Sequence, residues 1–115
     1  MCDNQTIAEI LKDALKLIAN KNCWTTGVNA RSRRCSKHLQ PLGESVPSWS
    51  YNAIKWSLNG AIERAAIDAE EYRSLPFVHS TLNQELKGES IHNFNDRSSH
   101  RQVIALLKKA YLNVL

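Results

Sequence analysis

The 115-residue sequence contains no apolar run near the ~18 residues that a membrane-spanning helix needs. Its opening lacks a charged segment followed by an apolar one, because Asp3, Glu9, Lys12 and Asp13 interrupt any such run, so no secretory signal is expected. Cysteine is scarce and unevenly placed. Cys2, Cys23 and Cys35 are an odd number at irregular spacing, which is not a disulfide framework. Reduced thiols in the cytoplasm are expected, meaning the host cytoplasm if a phage encodes the chain. There is no internal repeat and no low-complexity tract.

What is present suits an ordinary globular protein. Hydrophobic residues make up 43% and charged residues 23%, and a chain of this size buries one core without a disulfide or metal staple. A single domain over residues 1–115 is expected. The net charge of +4 permits contact with nucleic acid or an acidic partner without requiring either. The placement of charge says more. Arg31, Arg33, Arg34, Lys37 and His38 fall in one stretch that holds no acid, while other basic residues are mostly interleaved with Asp and Glu.

Apolar periodicity points to helices. Thr6 and Glu9 have the spacing of a capping box, and Ile7, Ile10, Leu11, Ala14, Leu15, Leu17 and Ile18 then recur at helical intervals. Residues 23–48 lose that period and are punctuated by Gly27, Pro41, Gly43 and Pro47, so one long irregular loop is expected there, partly ordered as short turns or strands. A second helix is expected from residue 48 or 50 to 68, with Ile54, Leu58, Ala61, Ile62 and Ala65 as its stripe. Gly60 lies inside it at a cost of up to ~1 kcal/mol, which implies a tight crossing with the first helix or a place under a tryptophan. Pro76 breaks the chain, a third helix covers 77–87, and Gly88 stops it. Residues 91–97 read as a loop. The last helix opens at Ser98 or Ser99, with Ser99 and Gln102 as a second capping box. The expected fold is all-α, a compact bundle of four or five helices.

Four groups of residues are candidates for chemistry or binding. Cys23, Cys35 and His38 come nearest to a zinc pattern, but the set is incomplete without Cys2, His79, His92 or a carboxylate, so no metal or cofactor is assigned. Cys23 and His92, with Asn93, Asn95 or Asp96 as orienter, supply the residue types of a thiol nucleophile and its base, without the local signature of a cysteine hydrolase. Residues 92–96 have a plainer reading, in which Asn95 or Asp96 organises the start of the last helix and Phe94 packs inward. The run Arg31, Arg33, Arg34, Lys37 and His38 is the best interaction surface, able to meet phosphates or acidic side chains. It has no interleaved aromatic for base stacking. Trp49, Tyr51 and Tyr72 either mark an interface or complete the core.

Cys23-Trp24-Thr25-x-Gly27, Ala53-x-x-Trp56-Ser57-Leu58-x-Gly60-Ala61-Ile62, Phe94-Asn95-Asp96 and the apolar helix over 103–110 together resemble a family of small bacterial and phage proteins of unknown function. The resemblance runs over most of the chain. Members often carry Cys at the position of Ser57, and Trp or Tyr at that of Phe94, changes that look like packing variants. The resemblance implies no activity, substrate or cofactor, and it points to a phage or mobile-element origin. The expected function is therefore a non-enzymatic protein that docks a helical face or the basic loop onto another protein, in the manner of an anti-CRISPR inhibitor of host defence. A nucleic-acid-binding module using the 31–38 loop is the first alternative. A small Cys/His enzyme or zinc protein is the second.

Overall fold

The first apolar stripe folds as its period requires. In the computed structural model, which describes residues 4–32 and 44–115, helix α1 spans Asn4–Ile18 and buries Ile7, Ile10, Leu11, Ala14 and Ile18. Thr6 lies within its first turn and not at the N-cap, because the helix already begins at Asn4. At the far end His100 Nε2 lies 2.6 Å from the Ile18 carbonyl oxygen. A carbonyl can only accept, so Nε2 carries the hydrogen and satisfies one of the free carbonyls of the last turn.

The stretch expected as one irregular loop contains more order. A 3-10 turn at Lys21–Cys23 follows α1, capped by the Asn20 side chain accepting from Asn22 N. Strands β1 (Ala30–Ser32), β2 (Ser45–Val46) and β3 (Ala53–Trp56) form an antiparallel sheet in the order β2-β1-β3. Ala30 pairs with Val46 on one side and Trp56 on the other, and the register with β3 slips at Arg31 and Ser32. The fold is thus mainly helical but not all-α.

The sheet also corrects the second helix. Residues 53–56 do not alternate strictly: Ala53 and Trp56 are buried, Lys55 is half-buried, and Ile54, skipped in the pairing with β1, is 42% exposed. Helix α2 begins only at Leu58 and runs to Asp68, with Ser57 as N-cap accepting from Gly60 N at 3.1 Å. Gly60 does mark a close approach, but the neighbour is neither α1 nor a tryptophan. A Cβ there would stand 1.8 Å from the Asn29 carbonyl oxygen, in the backbone leading into β1. The same oxygen accepts from Ser57 N at 3.0 Å, so sheet and helix are joined at this point.

A second 3-10 turn, Tyr72–Ser74, leads into α3, Leu75–Leu86. Pro76 sits in the first turn of α3 and starts the helix where a break was expected, since no intrahelical N–H is required there. Lys87 adopts a left-handed conformation at φ 52° before Gly88 at φ 99°. Residues 91–97, expected as a loop, form helix α4, Ile91–Arg97, with Ser90 accepting from Asn93 N at 3.0 Å. Helix α5, His100–Val114, has the full Ser99–Gln102 capping box and buries Val103, Leu106, Leu107 and Ala110. Packing places α1 against α2 and α5, with α3 on α5 and α4 on α2. Among the described residues no helix is long and apolar enough to cross a membrane.

Candidate functional site

Asn95 and Asp96 do not organise the start of α5. They lie inside α4 and turn towards the chain after α1. Asn95 is 1% exposed. Its Oδ1 accepts from the Trp24 indole at 2.8 Å and from Leu58 N at 3.0 Å, and its Nδ2 donates to the Thr25 carbonyl at 3.1 Å. Asp96 Oδ1 accepts from Gly27 N at 2.8 Å. Leu58 N is one of the free donors of the first turn of α2, so one amide satisfies a helix start, an indole and a loop carbonyl together. Phe94 packs partly buried against the core, as expected.

Of the basic run, only Arg31 falls within the described residues. Its Nε donates to Thr25 Oγ1 at 2.8 Å and its Nη2 to the Thr26 carbonyl at 3.1 Å. This cation braces the 24–27 segment from the sheet side. Arg33, Arg34, Lys37 and His38 lie outside the described residues, as do Cys2 and Cys35. Cys23 is half-buried at the end of the first 3-10 turn. His92 is exposed near the start of α4 and lines a groove of about 580 Å³ with His79, Asn59 and Asn83. His79 Nε2 is buried with no hydrogen-bond partner among the described residues. Burial holds the His79 pKa below the ordinary histidine value, the Glu63 carboxylate opposes that shift, and His92 adds to it. No three His, Cys, Asp or Glu side chains among the described residues converge in a way that could hold a metal ion.

The three tryptophans divide sharply. Trp24 is tied to Asn95, and Trp56 is 8% exposed with its indole donating to the Ser48 carbonyl at 3.1 Å. Trp49 is 63% exposed and Tyr72 is 58% exposed, and both line a groove of about 430 Å³. Ile67 and Leu75 supply apolar surface there, and Glu63 is its charged side chain. The turn that carries Trp49 is held by Arg64, which donates to the carbonyls of Ser48 and Ser50 at 3.2 and 3.1 Å while stacking 5.5 Å above the Trp56 ring. Tyr51 is fully exposed on the same turn. These rings do not complete the core. The groove escaped sequence reasoning because Trp49 and Tyr72 come from separate elements, and only their surplus over core needs hinted at it.

A family model matches residues 3–112. The chain belongs to DUF6197, a family of unknown function. No match to the chain was found among curated proteins or among solved structures. The residues on which the sequence resemblance rests meet in space. Trp24, Gly27, Leu58, Asn95 and Asp96 form one hydrogen-bonded cluster, and Gly60 admits the Asn29 backbone beside it. In this chain those residues hold the helices to the sheet.

Proposed function

We propose that this protein is a non-enzymatic interaction protein of the cytoplasm that docks on a partner protein through the face around Trp49 and Tyr72. The observation that supports this reading is the exposure of both rings on one groove, with Ile67 at 38% exposed beside them. Burying such rings against a partner releases the water that covers them, and Trp and Tyr anchor protein interfaces more often than other residues do. Arg64 ties down the backbone of the turn that carries Trp49, and Tyr72 opens the second 3-10 turn. An ordered backbone beneath the rings lowers the cost of binding by the loop ordering it avoids. The finer reading is a phage-encoded inhibitor of host defence, whose partner is a host protein.

The test begins with a partner captured from the native host and then purified. Trp49→Ala combined with Tyr72→Ala is expected to raise its Kd by at least about 30-fold, the effect of losing one interface hot spot. The variant's circular dichroism and melting temperature should match the parent's. An unchanged Kd in a natively folded double variant would refute the reading.

A further inference from the structure

We propose that the Trp49–Tyr72 groove receives a cationic side chain, arginine or lysine, of the partner protein. This rests on the reading of that face as an interface and adds the chemistry of what enters it. The groove joins three features that suit such a side chain. Two aromatic rings, Trp49 and Tyr72, offer the negative faces that attract a cation. Ile67 and Leu75 offer apolar surface for an aliphatic stem. Glu63 offers a carboxylate as the charged end of the same cavity.

The Glu63 charge is available to a ligand. Its Oε1 accepts from the Ser48 hydroxyl at 3.0 Å, and a carboxylate can accept at both oxygens. The neighbouring His79 does not compensate it, because burial keeps that imidazole neutral at pH 7. Arg64, next in sequence, is turned away to Asp68, the Ser48 and Ser50 carbonyls and the Trp56 ring. The segment that supplies Glu63, Ile67 and Tyr72 to the groove carries the same sign. Between residues 63 and 73 stand Glu63, Asp68, Glu70 and Glu71 against Arg64 and Arg73, in a chain whose net charge is +4. An acidic excess on that segment favours the approach of a basic group.

The test is a nuclear magnetic resonance titration with the blocked pentapeptide Gly-Ser-Arg-Ser-Gly and its citrulline counterpart, which keeps the shape and loses the charge. Saturable shifts are expected at the Trp49 indole and the Tyr72 ring with the arginine peptide. Affinity should fall at least about five-fold with citrulline, and by a similar factor in Glu63→Gln, which keeps the Ser48 hydrogen bond. Equal binding of the two peptides, or shifts centred elsewhere, overturns the proposal. So does self-association of the protein that Glu63→Gln abolishes, since the groove would then belong to a second copy. If the purified partner is lost on replacing Trp49 and Tyr72 but binds Glu63→Gln unchanged, the interface stands and the cation does not. If neither variant weakens the partner, both fall.

Discussion

Replacing Asn95 with aspartate keeps the side-chain shape and exchanges the buried Nδ2 amino group, with its two N–H donors, for an oxygen. The two acceptor bonds, from the Trp24 indole and Leu58 N, are retained, and the bonds that Nδ2 donates to the Thr25 carbonyl and to Asp96 Oδ1 are lost. An ionised carboxylate would set an oxygen against that carbonyl, inside a site that is 1% exposed. Asp96 Oδ1, which lies 3.4 Å from Asn95 Nδ2, would oppose the charge as well. The two N–H donors favour the ionised form, but full burial, the carbonyl and the second carboxylate outweigh them, so the introduced carboxyl should titrate above its unfolded value. A rise of about two units costs about 2.7 kcal/mol once the group is ionised. The sign follows from proton binding. Below about pH 4 the carboxyl is protonated in both states, can donate to Thr25, and leaves the variant within about 1 kcal/mol of the parent. As pH rises through the folded pKa, the deficit grows to about 3 kcal/mol. Urea unfolding of both proteins from pH 4 to 7.5, followed by tryptophan fluorescence, measures that difference at each pH. A deficit that stays constant across the range, or is absent at pH 7.5, would show that Asn95 does not donate to Thr25 as described.

Gly60→Ala should cost at least about 3 kcal/mol, because a Cβ 1.8 Å from the Asn29 carbonyl oxygen displaces backbone and breaks its bond to Ser57 N. Thermal unfolding checks this, and a variant as stable as the parent would place Asn29 elsewhere. Lys87→Gly should stabilise the protein by roughly 0.5–1 kcal/mol, since Lys87 holds φ 52° at the end of α3; a lowered melting temperature would contradict it. His79 has a folded pKa below its unfolded value of 6.5. Stability should therefore fall as pH drops below 6.5, where the unfolded chain binds the proton first. His79→Gln should flatten that part of the profile, and an unchanged profile between pH 7 and 5 would show that His79 is not the group responsible.

Much of the helical frame was legible because each long helix repeats its signal. In α1 and α5, Ile7, Ile10, Leu11 and Ala14, and Val103, Leu107 and Ala110, recur often enough to reveal one buried face. The Ser99–Gln102 box also formed at its expected place, since its two bonds lie within one turn. Shorter elements carry too few repeats. Strand β3 has four residues, and its Ile54 happens to fall at helical spacing from Leu58 and Ala61. Helix α4 turns Ile91 and Asn95 inward, and a buried asparagine is silent in an apolar count.

The candidate site was less legible, for a related reason. Asn95 and Asp96 stood out as cap-forming types, but their partners Trp24, Thr25, Gly27 and Leu58 lie far away along the chain. Trp49 and Trp56 are near neighbours in sequence, yet one indole is buried on the Ser48 carbonyl and the other faces solvent. Nothing local separates them. The sequence by itself determined the helical character, the apolar faces of α1 and α5 and the Ser99–Gln102 cap, because each depends on residues within a turn or two of one another. Only the tertiary structure decided that Asn95 joins three segments, that Gly60 admits a backbone, and that Trp49, Tyr72 and Glu63 share one groove. Those outcomes depend on which distant groups the packed helices bring within a few ångströms, and that is a property of the whole fold.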